Sequence, residues 1–128
     1  MAFDWIKYLI VAENLKSSGT EESCRSGISR AYYAVFGRAK IFCINQSIVK
    51  TKDLNDNRNK IHSFLINSLV ESDHPELFEI GKNIETLRVR RNDADYNADC
   101  KESGKISVLE DSILIVNGVL KKINDYEP

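Results

Sequence analysis

The amino-acid sequence predicts an all-α protein, an up-and-down bundle of about five helices joined by short connections. Apolar residues recur at steps of three and four along almost the whole chain, which is the spacing of one helix face. Segments in which apolar and polar residues alternate, as they do in strands, are nearly absent. A chain of 128 residues has the size of one ordinary domain, so we expect a single helical domain over residues 1–128.

Composition and charge narrow the class of protein. Hydrophobic residues make up 42% of the chain and charged residues 29%, a balance that favours a folded globular protein over a disordered one. The net charge of −1 argues against indiscriminate binding to nucleic acid or membranes, although it allows a local basic patch. No apolar run approaches the roughly 20 residues of a membrane span, and no signal-peptide pattern is present. We therefore expect a cytoplasmic protein with no membrane association.

Cysteines and histidines show no pattern of metal ligands. Cys24, Cys43 and Cys100 share no CxxC or comparable spacing, which is typical of reduced structural thiols. The two histidines, His62 and His74, are far apart in the sequence. No glycine-rich loop follows a predicted strand. We therefore expect neither a metal site nor a cofactor.

The first half of the chain predicts two helices. The first is expected from Phe3 to Leu15, with Gly19 ending the connection in a left-handed conformation and Thr20 capping the second helix. Its inward-facing side chains are expected to be Trp5, Ile6, Leu9, Ile10 and Ala12. The second helix is expected from about Glu21 to Asn45.

The second helix contains "AYYAVFG", which is apolar or aromatic around nearly the whole circumference. Such a helix is central to a bundle or lies in a subunit interface. Gly37 costs up to about 1 kcal/mol in a helix interior, so we expect another helix to approach closely there. At least one of Tyr32 and Tyr33 is predicted to be a core residue.

The second half predicts a loop over residues 46–56 and three further helices. Asp73 and Glu76 form a capping-box pattern around Pro75, which indicates that the fourth helix begins there. A polar break over residues 97–104 separates the fourth helix from the last. The predicted core residues of these helices are Ile61, Phe64, Leu65, Leu69, Leu77, Ile80, Ile84, Leu87, Ile106, Leu109, Ile113, Val116, Leu120 and Ile123.

One arginine interrupts the apolar stripe of the fourth helix. The residue seven positions after Ile84 is Arg91, whereas Ala94 continues the neighbouring stripe. Its guanidinium is therefore expected to point toward the bundle or a cleft at its edge, paired with Asp95 at i+4. The pair is either a salt bridge that fixes the helix end or part of a phosphate-sized anion site. In the second case Arg88 and Arg90 add charge.

Four blocks, in this order, resemble the signature of the HEPN superfamily: "DWIKYLIVAENL", "RSGISRAYYAVFGRAK", "KIHSFL" and "LRVRRNDADY". The resemblance covers most of the chain and is closest to the small stand-alone bacterial and archaeal members. It implies a helical homodimer whose active members are metal-independent endoribonucleases, often toxins of toxin–antitoxin pairs or host-defence effectors. Their motif is an arginine followed after four to six residues by a histidine, and both protomers contribute to one cleft.

The resemblance assigns the motif arginine to Arg91, but no histidine follows within the window, and Tyr96 stands in that region. A phenol is a poor general base at neutral pH, and a carboxylate paired with an arginine loses basicity. The candidate catalytic residues are Arg91, Asp95, Tyr96 and His62. The candidate substrate-binding residues are Arg88, Asn92, Arg30 and Tyr33.

Two functions follow from these residues. In the first, a HEPN-type homodimer binds or cleaves RNA, with Arg91 at the dimer cleft contacting phosphate and Arg30 and Tyr33 lining the same cleft. In the second, the domain is a non-catalytic interaction module that pairs with a nucleotidyltransferase or another protein. The cluster around Arg91 then only holds the bundle together.

Overall fold

A computed structural model describes residues 2–128 of the chain. No strand occurs in these residues, and the predicted all-α bundle is confirmed. Two short 3₁₀ segments, Arg58–Lys60 and Lys101–Gly104, lie in the connections. The α-helices are α1 (Ile6–Lys16), α2 (Glu21–Asn45), α3 (Thr51–Asp56), α4 (Ile61–Val70), α5 (Pro75–Tyr96) and α6 (Ile106–Asp125).

The segment 46–56 was predicted as a loop, and this prediction was wrong because residues Thr51–Asp56 form α3. The short helix is anchored by Leu54, which is buried, and is followed by a turn in which Asn57 Nδ2 donates to the carbonyl of Asp53 at 2.7 Å. A helix with one buried apolar side chain shows no periodicity, so the pattern could not reveal it.

Helix α2 is the centre of the bundle and packs against α1, α5 and α6. Its bounds agree with the prediction, and so do the residues that precede it. Thr20 Oγ1 accepts from the backbone N–H of Ser23 at 3.2 Å, and Gly19 has the left-handed φ of 68°. The predicted burial around the circumference is also observed, since every residue of "AYYAVFG" except the half-buried Tyr33 is buried.

Gly37 provides the predicted close approach. A Cβ atom built at Gly37 would lie 2.2 Å from the indole of Trp5, the residue that precedes α1. The glycine thus lets the indole lie directly against α2. One inward prediction for α1 was wrong, because Ile10 is 55% exposed. Leu9 and Ala12 are the residues of α1 that pack against the core of the bundle.

Helix α5 begins at Pro75 as predicted, but the capping box of Asp73 and Glu76 does not form. His74 is the N-cap residue, and its backbone N–H donates to Ser72 Oγ at 3.1 Å. The hydroxyl of Ser72 orders this turn in place of the Asp73 carboxylate. No helix in the described part of the chain is both long and apolar enough to cross a membrane.

Candidate functional site

A cavity of about 290 Å³ opens between the start of α1, the middle of α2 and the end of α5. Arg91 and Asp95 enter it from α5, and Arg30 and Tyr33 enter it from α2. Its full lining is Trp5, Tyr8, Arg30, Tyr33, Arg91 and Asp95. The fold therefore brings together residues that are up to 90 positions apart in the sequence.

Arg91 lies at the edge of the bundle with only 15% of its side chain exposed, as its place in the apolar stripe predicted. Its Nε donates to Asp95 Oδ2 at 2.8 Å, which is the predicted i,i+4 pair. Nη1 donates to Asn92 Oδ1 at 3.0 Å, and Nη2 lies 3.5 Å from the hydroxyl of Tyr96. All three contacts are made within α5, so they fix the guanidinium without using the other helices.

Asp95 links the site to the central helix. Its Oδ2 accepts a hydrogen bond from Ser29 Oγ of α2 at 3.1 Å in addition to the bond from Arg91. Ser29 is buried, so this bond is partly shielded from water. Both hydrogen bonds reach the same oxygen of the carboxylate, and the Arg91–Asp95 pair is thereby held against α2.

Arginines and tyrosines alternate along the site. The Cζ atom of Arg30 lies 4.8 Å from the ring centroid of Tyr8 and 5.3 Å from that of Tyr33. The Cζ atom of Arg91 lies 5.0 Å from Tyr33 and 5.3 Å from Tyr96. We call this row Tyr8–Arg30–Tyr33–Arg91–Tyr96 the cation–π ladder. In each contact the positive charge of the guanidinium is attracted to the face of the aromatic ring. Tyr96 is 76% exposed, so the ladder ends in solvent.

The arginines around the site outnumber its carboxylates. In residues 2–128, neither Arg30 nor Arg88 has a carboxylate within 4 Å, and Arg91 is paired only with Asp95. Arg90 does not add to this charge, contrary to the sequence-based expectation. It turns toward α6, where Nη1 lies 2.9 Å from Asp111 Oδ2 and donates to Ser112 Oγ at 3.0 Å.

His62 lies beside the cavity rather than in its lining. Its Nδ1 is 2.7 Å from the hydroxyl of Tyr32, and its ring stacks on Phe36 with centroids 4.3 Å apart. Burial lowers the pKa of His62, and the positive charges of Arg88 and Arg91 lower it further. The ring of Tyr33 is close to both groups, since its centroid lies 6.1 Å from that of His62 and 5.0 Å from Cζ of Arg91.

In the hydrogen bond between Tyr32 and His62, the tyrosine is the donor and the histidine is the acceptor. Burial raises the pKa of the Tyr32 phenol far above neutrality, so this hydroxyl keeps its proton. A neutral His62 then accepts the proton of Tyr32 at Nδ1 and carries its own hydrogen on Nε2. His62, the histidine predicted as a proton carrier, is therefore held in one tautomer beside the cavity.

Sequence reasoning missed the role of Arg25. Its guanidinium caps the end of α5 and the turn that follows, where backbone carbonyls lack helical partners. It also lies 3.2 Å from Glu21. The carbonyls that accept from it, at 2.8–3.4 Å, belong to Asp93, Ala94, Asn97, Ala98 and Cys100. By fixing this end, Arg25 also fixes the last turn that carries Asp95 and Tyr96.

Trp5 and Tyr8 were also not predicted as site residues. Trp5 was expected to be a core residue, and Tyr8 was not singled out. Their spacing of three residues places both on one face at the start of α1, and this signal could have identified them as a pair. Ser29, four residues after Arg25, likewise lies on a helix face that points to the end of α5.

The cysteines lie outside this site. Cys24 and Cys43 are buried, and burial raises the pKa of the Cys43 thiol to about 12. Cys100 is half-buried, and none of the three forms a disulfide within the described residues. Residues 2–128 contain no cluster of three or more acidic, histidine or cysteine side chains that is arranged to hold a metal ion.

The chain matches no known family model, no curated protein and no solved structure. The resemblance to HEPN proteins therefore rests on the four sequence blocks alone. The second and fourth of these blocks supply Arg30, Tyr33, Arg91 and Asp95 to one cavity.

Proposed function

We propose that the chain is a HEPN-type, RNA-directed protein that binds RNA phosphate groups at the cavity around Arg91. The observation that carries the proposal is the excess of guanidinium groups. Two arginines, Arg30 and Arg91, line the cavity, and its one carboxylate is that of Asp95. An arginine matches phosphate with a planar pair of donors, and its charge is never lost at physiological pH.

The aromatic rings of the ladder favour RNA over a small inorganic anion. A groove that alternates basic and aromatic side chains binds single-stranded nucleic acid through its phosphates and its base faces together. The net charge of the chain is −1, so attraction to RNA is confined to this local site. We therefore expect only weak RNA binding at the rest of the protein surface.

Metal-independent RNA cleavage is the second step that we propose for this site. Attack of a 2′-hydroxyl on the adjacent phosphate needs a proton acceptor and positive charge at the phosphorane. Arg30 and Arg91 supply charge at the cavity. His62 is neutral, but its Nδ1 already accepts the hydrogen bond of Tyr32, so it takes up a proton only when that bond breaks. His62 also does not line the cavity, so binding is the better supported activity. A toxin or host-defence role would follow from cleavage.

The test compares neighbouring arginines. Arg91→Gln removes charge from the cavity lining and Arg88→Gln removes charge beside His62, next to the cavity. Arg90→Gln removes the contacts with Asp111 and Ser112 of α6. We expect the first two variants to bind a fluorescent oligoribonucleotide about tenfold more weakly, the effect of one charged hydrogen bond. Arg90→Gln is the matched control. It should keep RNA affinity and lower the melting temperature.

Fluorescence anisotropy measures the affinity, and gel electrophoresis of the same oligonucleotide measures cleavage. Binding should weaken with salt, since phosphate contacts release counterions. A folded Arg91→Gln protein that binds and cleaves RNA as the unaltered protein does would overturn the proposal. Loss of cleavage with retained binding in a His62→Gln variant would assign proton transfer to the imidazole.

The rival proposal is a non-catalytic module that pairs with a nucleotidyltransferase or a second copy of the chain. Three exposed apolar or aromatic residues of α5, Phe78, Val89 and Tyr96, favour it, because they share one helix face. If the Arg91 cluster is only structural, Arg91→Gln lowers the melting temperature and RNA does not bind to the unaltered protein.

A further inference from the structure

Trp5 and Tyr8 form a wall of the cavity that phosphate binding does not need. One face of the indole lies against Gly37, where a Cβ atom would be 2.2 Å away. The rings of Phe3 and Tyr8 form T-shaped pairs with the indole, with centroids 5.2 and 5.7 Å apart. The indole is therefore held between α2 and two aromatic rings, and part of its surface lines the cavity.

Polar groups stand opposite this aromatic wall. Asp95 Oδ2 accepts from both Arg91 and Ser29, whereas Oδ1 has no hydrogen bond within residues 2–128. Arg30 lies between the rings of Tyr8 and Tyr33 and has no carboxylate partner in the same part of the chain. The cavity thus offers an aromatic surface, a free acceptor and a cation within about 290 Å³, near the lower end of the range for small-ligand pockets.

We propose that Trp5 and Tyr8 form a stacking subsite for one unpaired nucleobase of the bound RNA. The inference rests on the proposed function, because Arg30 and Arg91 hold the phosphate next to that base. Asp95 Oδ1 accepts a hydrogen bond from an N–H group on the edge of the base. Every base has an aromatic face, so the subsite tolerates different sequences. A phosphate polymer without bases would use the arginines and leave the aromatic wall empty.

The chain contains a single tryptophan, so its fluorescence reports on this subsite alone. We would titrate the protein with tetraadenylate and with a tetramer that has the same ribose and phosphate groups but no bases. Tetraadenylate should quench the fluorescence of Trp5, because the base stacks on the indole. The abasic tetramer should bind about tenfold more weakly and should not quench it.

Variants separate stacking from phosphate binding. Tyr8→Leu keeps the fluorescent indole and should weaken tetraadenylate binding about tenfold, with no change for the abasic tetramer. Tyr126→Leu is the matched control, since Tyr126 packs against Phe42 away from the cavity. It should change neither affinity. Circular dichroism of each variant would check that the helices are retained.

The outcomes distinguish the subsite from the proposed function. If both tetramers bind equally, without quenching and with loss in Arg91→Gln, phosphate binding stands and the base subsite is overturned. If neither tetramer binds, both proposals fail. If Tyr8→Leu weakens both tetramers equally, the ring only supports Arg30, and the base subsite is again overturned. The comparison of tetramers on the unaltered protein decides the matter even if Tyr8→Leu does not fold.

Discussion

At the scale of single residues, His62 has an environment that favours its neutral form. Its ring is covered by Phe36 and Tyr32, and the nearby charges are the cations Arg88 and Arg91. An imidazolium there would lose hydration and gain repulsion. Protonation of His62 should therefore weaken the fold.

We expect the free energy of unfolding to decrease as the pH is lowered, because of His62. Its pKa is lowered in the folded protein, so as pH falls through about 6.5 the unfolded chain takes up the proton first. The free energy of unfolding is therefore unaffected above this pH and decreases from there down to the folded-state pKa. Urea denaturation at pH 7.5, 6.5 and 5.5 would measure the loss, and His62→Gln should reduce it.

The arginines provide the control for this prediction. Arg88→Gln and Arg91→Gln remove positive charges and should raise the pKa of His62 toward its usual value. Arg90→Gln should leave it unchanged, because that guanidinium is paired with Asp111 on α6. NMR titration of the imidazole Cε1–H would follow each variant. An unchanged pKa in both Arg88→Gln and Arg91→Gln would mean that burial alone causes the shift.

At the scale of the helices, the packing of Trp5 on α2 depends on one missing methyl group. Gly37→Ala would place a Cβ atom 2.2 Å from the indole, so Trp5 must move. We expect a loss of about 1–3 kcal/mol in the free energy of unfolding, despite the better helix propensity of alanine. The cavity should open as well, with a red shift of tryptophan emission. Thermal melting and fluorescence spectra measure both effects.

Gly118→Ala is the matched substitution, because no atom lies within 4 Å of a Cβ built at Gly118 in α6. Only helix propensity acts there, so we expect a gain of about 1 kcal/mol. A similar gain for Gly37→Ala would contradict the close approach of Trp5. The pair of variants thus separates propensity from packing in one protein.

Helix patterns predicted most of the elements, while side-chain contacts between distant segments could not be predicted. The bounds of α2 and the partly buried Arg91–Asp95 pair follow from periodicity and spacing within one helix. The role of Arg25 does not, because its five carbonyl partners are 68–75 residues away in the sequence. Local patterns contain no information about such partners. The cavity could not be predicted either, because Trp5 and Tyr8 reach it only when the start of α1 packs against α2.

At the scale of the whole molecule, the α5 surface suggests how two copies would meet. Phe78, Val89 and Tyr96 are 43%, 57% and 76% exposed. Spacings of 11 and 7 residues return to within about 20° of the same direction on an α-helix, so the three form one stripe. The stripe ends at Tyr96, the exposed end of the cation–π ladder. Arg91 points about 140° away from this stripe around the helix, so a second copy on this face would approach the site only at Tyr96.

We predict that the unaltered protein is a homodimer through this stripe and that Val89→Asp makes it monomeric, because a carboxylate is costly to bury without a partner. Light scattering coupled to gel filtration should give twice the chain mass of 14.6 kDa before the substitution and the chain mass after it. Leu114→Asp, on the 69% exposed Leu114 of α6, is the matched control and should remain dimeric.

The RNA affinity of the same two variants then tests whether the site needs both copies. If the second copy contributes its Arg91, monomeric Val89→Asp should lose affinity and its salt dependence should decrease, because fewer phosphates are contacted. If the monomer binds RNA as the dimer does, one copy holds the complete site. A monomeric unaltered protein would contradict the homodimer and leave the stripe of Phe78, Val89 and Tyr96 for a different protein partner.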